Sequence, residues 1–102
     1  MPTVRLDSTG PPAPGQAIRV SAEGHEVAVF NLAGRLFAID AKCTHVGGPL
    51  DKGSVDGHVV SCPWHGSRFD VENGQVVRGP AVKPLHSYSV RAEGAGLVLE
   101  IP

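Results

Sequence analysis

The chain has 102 residues, 41% of them hydrophobic, and its nine Lys and Arg against ten Asp and Glu leave a formal charge of −1. That length makes one domain, 1–102, and the well-mixed charge leaves no basic stripe for a nucleic acid. No apolar run nears the ~18 residues that span a bilayer, and residues 1–14 lack the charged-then-apolar order of a signal peptide, so a soluble cytoplasmic protein without a membrane partner is expected.

Thirteen glycines and nine prolines divide the chain into short runs. Residues 8–15 (STGPPAPG) read as a loop, because proline cannot join a central strand. Strands are expected over 18–22 and 26–32, then, after a tight turn at Ala33-Gly34, over 36–40. Asp56-Gly57 leads into a strand at 58–62. Runs at 68–72 and 75–78 flank Asn73-Gly74, a strong type I′ hairpin signal. The last pair, 86–93 and 97–101, flanks Gly94-Ala95-Gly96. Runs this short, rich in Val and Ile and bounded by turn residues, point to an antiparallel sandwich or barrel. No window keeps a 3.6-residue apolar period long enough for a helix.

The chemistry concentrates in two segments. Cys43-Thr44-His45 is C-x-H; after sixteen intervening residues Cys62-Pro63-Trp64-His65 is C-x-x-H. These are the only two cysteines in the chain. Two cysteines cannot build a disulfide framework, and in a reducing compartment such residues more often bind metal. The first segment follows a strand and the second ends one, so two loops, each giving one Cys and one His, would clasp a metal between them. Pro49, Pro63 and Gly47-Gly48 restrict or permit unusual backbone angles there. A structural zinc site also uses Cys₂His₂, but zinc fingers pair like with like, whereas each segment here mixes the two ligand types. A Cys–His nucleophile is the other rival; neither segment shows an orienting acid.

At these residues the chain resembles a Rieske-type ferredoxin: the matching text is CTHVGGPLDKG, CPWHGSRFD and GPA at 79–81. The resemblance covers almost the whole chain. It implies an all-β fold of three antiparallel sheets, with a small cluster-binding subdomain (about 43–69) formed by two loops on a base of about 1–42 and 70–102. It also implies one [2Fe–2S] cluster, with one iron on Cys43 and Cys62 and the other on His45 and His65, since in Rieske centres His₂ replaces Cys₂ on one iron. Soluble members resemble the middle carrier between a flavoprotein reductase and a ring-hydroxylating oxygenase or other oxidoreductase, acting without turnover of their own and, for this chain, as a monomer. High-potential members carry two further cysteines that tie the clasp; here those places hold Gly48 and Trp64. They also carry a serine and a tyrosine that donate to the sulfurs; Ser67 is present, but Phe69 replaces the tyrosine. The proline loop has Val82 where a second proline often follows GPA. These departures point to the soluble, lower-potential branch. Two other readings share the resemblance: a small accessory subunit of a nitrite reductase, many of which lack the ligands, and a Rieske module of a larger flavoprotein or oxygenase.

Charge arithmetic explains what the ligand set implies. Two ferric ions, two sulfides and two thiolates sum to zero, where four thiolates would give −2. An electron adds more easily to a neutral centre, and Rieske potentials span about −150 to +300 mV. Hydrogen bonds to sulfur favour the reduced form, so Ser67 without a tyrosine hydroxyl implies the low end.

The remaining candidates carry simpler readings. Trp64 either faces a redox partner or shields the cluster from water. Pro80 is expected to pack over the cluster. Val46, Leu50 and Pro63 form an apolar rim or pack within the loops. His25, His58 and His86 are expected at the surface or in strands, Asp51, Lys52, Arg68 and Asp70 in solvent, where some steer partner docking, and Phe69 and Tyr88 in the core.

Overall fold

A computed structural model describes residues 3–6, 10–44, 47–64, 66–79, 83–94 and 96–101. Among these residues ten strands form in chain order: β1 (Thr3–Leu6), β2 (Ala17–Ala22), β3 (His25–Leu32), β4 (Arg35–Asp40), β5 (Ser54–Asp56), β6 (Val59–Ser61), β7 (Arg68–Asp70), β8 (Val76–Arg78), β9 (Ser87–Glu93) and β10 (Gly96–Glu100). A 3-10 turn, Leu50–Lys52, precedes β5. All the ladders are antiparallel.

The expectation of three antiparallel sheets corresponds to three units, two of them joined. One unit is β2-β3-β4 and another is β1-β10-β9. They fuse through a short ladder of Ala38 with Tyr88 and Ile39 with Ser87. The third unit, β5-β6-β7-β8, stands apart as its own sheet. Asp40 reinforces the fused seam: one carboxylate oxygen accepts the Tyr88 hydroxyl at 2.5 Å and the other accepts the His86 N–H at 2.9 Å.

Strand alternation fills two cores. On β3, Val27 and Val29 face one side, with Leu97, Leu99, Ile101 and Tyr88. Ala28 and Phe30 face the other, with Ile39, Leu50, Val60 and Phe69. Side chains two apart share a face of a strand, so β3 is buried on both faces and holds the two cores together. Phe30 and Phe69, both essentially fully buried, each contribute roughly 1.5–3 kcal/mol of apolar burial.

The turns partly follow the sequence signals. Ala33 and Gly34 both take positive φ, 56° and 91°, as a two-residue type I′ hairpin requires. Glu23 and Gly24 do the same between β2 and β3. The Asn73-Gly74 hairpin is different. Only Gly74 is left-handed, with φ 77°, and the Gly74 N–H donates to the Asp70 carbonyl four residues back at 2.7 Å. The connection is a wider five-residue loop because Val71 turns into the core and the Leu85 N–H donates to the Gly74 carbonyl, contacts that a two-residue turn would not leave room for. β1 and β5 carried no readable signal: both are short, and every residue of β5 is exposed.

Candidate metal centre

Two loops are closed by the same pair of hydrogen bonds. In the first, the Cys43 N–H donates to the Gly48 carbonyl at 2.9 Å, and the Gly47 N–H donates to the Cys43 carbonyl at 2.8 Å. In the second, the Cys62 N–H donates to the Ser67 carbonyl at 2.7 Å, and the Gly66 N–H donates to the Cys62 carbonyl at 3.0 Å. Each chain reversal needs a left-handed residue four places after the cysteine. Glycine supplies it without steric penalty: Gly47 has φ 76° and Gly66 has φ 77°.

The strands beneath hold the loops in place. Lys42 bridges Pro49 and the Leu50 N–H donates to the Ala41 carbonyl at 2.8 Å, so the first loop is the tip of a hairpin. The second loop joins β6 to β7, where Ser61 pairs with Arg68. A third segment is tied in from the side: the Thr44 hydroxyl donates to the Lys83 carbonyl at 2.7 Å.

Cys43 and Cys62 are both thiols, exposed by only 3% and 2%, and both lie in the core of Ala28, Phe30, Leu50, Val60 and Phe69. The two loops meet at Gly48. A Cβ there would stand 2.5 Å from the Cys62 sulfur and 3.4 Å from the Trp64 ring. The site is therefore a cradle shaped around a buried sulfur, with soft donors fixed by backbone hydrogen bonds, and this donor set fits an iron–sulfur cluster. Ser67 is fully buried beside it, and among the described residues no buried side-chain nitrogen or oxygen lacks a hydrogen-bond partner.

His45, His65, Val46 and Pro80 lie outside the described residues. Trp64 packs along Gly48 and is still 57% exposed, which favours a partner-facing role over a buried shield. Of the two readings for Leu50, packing holds and the rim does not: it is fully buried in the core, because the 3-10 turn points it inward, while Pro63 is exposed. One expectation is corrected. Asp51 is not solvated: its side chain is 12% exposed, and its Oδ1 accepts the Arg19 Nε–H at 3.1 Å and lies 3.1 Å from Nη2, fastening the 3-10 turn to β2.

Phe69 and Tyr88 are core residues as expected. His25 contacts the Tyr88 ring edge-on, His58 lies 3.5 Å from the Glu72 carboxylate, and His86 is exposed. The reading of the residues overlooked Gly66 and Thr44. Gly66 had a signal: the spacing C-x-x-x-G occurs in both loops, as CTHVG and CPWHG. Thr44 had none, since its partner lies 39 residues away.

Residues 4–89 match the family model of the Rieske [2Fe–2S] domain. The chain is 39% identical over 88 residues to the biphenyl dioxygenase ferredoxin subunit of Pseudomonas sp. (strain KKS102), covering 85% of this chain and 81% of that one. A solved ferredoxin of Sphingomonas yanoikuyae B1 superposes with a TM-score of 0.86 at 30% identity, covering 99% of this chain and 100% of that one. The ferredoxin–oxygenase complex of carbazole 1,9a-dioxygenase gives a TM-score of 0.82 at 28% identity, over 95% and 100%. With its all-β fold, its two matched cysteine loops and this similarity, the chain belongs to the Rieske [2Fe–2S] domain family.

Proposed function

We propose that the protein is a one-electron carrier whose [2Fe–2S] cluster is held by Cys43 and Cys62 on one iron and by His45 and His65 on the other, within a cluster-binding part of about 43–69. In that role it takes electrons from a flavoprotein reductase and delivers them to an oxygenase, in the cytoplasm and as a monomer. The observation that carries this reading is the pair of identically closed loops, which bury two thiols and leave a glycine where any side chain would strike sulfur. The ferredoxin subunits among its relatives and the solved ferredoxin–oxygenase complex support it. Among the described residues no helix is long and apolar enough to cross a membrane.

When bound, the cluster supplies reversible one-electron chemistry. The chain's own residues set its conditions. The cysteine-bearing core excludes water from the sulfurs, Ser67 is buried in the second loop with its carbonyl accepting the Cys62 N–H, and Gly47 and Gly66 turn their loops so that their N–H groups donate to the Cys43 and Cys62 carbonyls. Trp64 offers an exposed aromatic surface for a transient interface.

The test is direct. Anaerobically purified protein should contain iron and acid-labile sulfide in equal amounts, absorb in the visible, and give an EPR signal on reduction. Zinc without iron or labile sulfide would end the reading. Replacement of His45 or His65 by Ala should abolish the EPR signal.

A further inference from the structure

Four cations flank the two cysteine loops and the segment tied to them through Lys83. Lys42 immediately precedes Cys43, Arg68 immediately follows Ser67, and Arg78 and Lys83 bracket residues 79–82. All four are exposed. The ion pairs among the described residues use Arg5, Arg19, Arg91 and His58 and none of these four. Arg68 and Arg78 are direct cross-strand partners on β7 and β8, a like-charge pairing that disfavours the sheet. Folding alone gives no reason for it.

Of the acids near these cations, Asp51 is paired with Arg19. Asp40, which accepts from the neutral Tyr88 hydroxyl and the His86 N–H, and Glu26 keep their charge and line one cleft with Lys42, so the collar is weakest on that side and strongest at Arg68 and Arg78. Asp70 shares the outward face of β7 with Arg68 but lies two residues farther from the second loop, where it accepts the Glu72 N–H. The rest of the chain carries five basic residues against ten acidic ones. Basic residues are therefore concentrated where the two cysteine loops and the segment tied to them leave the strands, although the net charge of the chain is −1.

We infer that Lys42, Arg68, Arg78 and Lys83 form a cationic collar that docks an electron-donor protein whose own electron port is rimmed with carboxylates. The inference rests on the carrier reading above. Complementary charge at a rim speeds encounter and sets orientation more than it adds affinity. The choice of donor over acceptor follows from charge. Accepting an electron makes the centre within the collar one unit more negative. A carboxylate-rimmed partner thus binds the oxidised carrier more tightly and releases the reduced one, the order that a donor needs and an acceptor does not.

The test uses reductants of opposite charge on the cluster-loaded protein in stopped flow. The sulfur dioxide radical anion from dithionite gives one electron to the oxidised protein and becomes sulfur dioxide. The methyl viologen radical cation gives one electron and becomes the dication. Between ionic strengths of about 10 mM and 200 mM, where screening becomes strong, the anion's rate should fall several-fold and the viologen's should rise. The net charge of −1 requires the reverse in each case. The R68Q/R78Q double variant should flatten both dependences while keeping its visible spectrum and midpoint shape. An anion rate that rises with salt, or a double variant like the wild type, overturns the collar.

An acidic flavodoxin serves as the protein probe for direction. Its dissociation constant, measured by amide shifts, should be lower for the oxidised than for the reduced carrier; equal or inverted affinities overturn the donor assignment. Purified protein that lacks the visible and EPR signals defeats the carrier reading itself, whereas intact signals with the wrong salt dependence defeat only the collar.

Discussion

Gly48 in the first loop lies against the Cys62 sulfur in the second, so closely that a methyl group on it would stand 2.5 Å from Sγ. This one contact couples the two halves of the proposed clasp. It also explains why the place holds the smallest residue: the sulfur and the Trp64 ring together fill the space that a side chain needs.

Gly48→Ala should therefore displace the Cys62 thiol, with an overpacking cost of about 1–3 kcal/mol. Iron and labile sulfide per chain should fall by more than half. Gly47→Ala is the control. Its Cβ meets nothing within 4 Å, but its φ of 76° costs a side chain roughly 1–2 kcal/mol, so thermal stability should drop with iron content retained. Full iron in the Gly48 variant would show that the sulfur does not need its present position.

Ser67→Ala should lower the midpoint potential. The hydroxyl is fully buried in the second loop. Losing one donor worth roughly 1–2 kcal/mol corresponds to about 40–90 mV for one electron. Protein-film voltammetry measures this, and an unchanged potential would remove Ser67 from any role at the sulfurs.

Thr44→Val keeps the shape of the side chain and deletes its hydrogen bond to the Lys83 carbonyl. The bond is exposed, so global stability should change by only about 0.5–1 kcal/mol. The cluster should nevertheless bleach faster in air, because the segment ending at Lys83 loses its tie to the first loop. Bleaching followed at visible wavelengths is the check; an unchanged half-life would make the tie incidental.

Tyr88→Phe tests the seam between the fused sheet units. Burial first, then the hydrogen bond to Asp40 and its charge, push the Tyr88 phenol well above its ordinary value of 10.0. The folded state thus holds this proton more tightly than the unfolded state does. The resulting stability is complete below about pH 10 and is lost as pH rises beyond it. At pH 7 the variant should be less stable by about 1–3 kcal/mol, since Asp40 loses a partner. Above pH 10 the gap should narrow. Urea midpoints across pH 7 to about pH 11 give the comparison, and a gap that stays constant would contradict the assigned shift.

Much of the fold was legible because strand period and turn chemistry are local. β3 and β4 are apolar runs bounded by turn residues, β9 alternates apolar and polar residues, and Ala33-Gly34 announced its turn. Asn73-Gly74 misled for a tertiary reason: Val71 and the Leu85 N–H claim that loop for the core, and their pull outweighs a dipeptide preference. β1 is held by a partner more than ninety residues away, and β5 shows no buried face at all. Neither leaves a trace in its own few residues.

The sequence by itself determined the chemistry: two cysteines and two histidines in mixed pairs, each cysteine with a glycine four places on, are a property of order and spacing. Only the tertiary structure decided that Gly48 seats the Cys62 sulfur, that Thr44 reaches Lys83, that Asp51 is spent on Arg19, and that Arg68 faces Arg78. Ligand spacing is local and survives in the linear text, whereas close approach and charge placement arise from strands paired across long separations, where only packing brings the partners together.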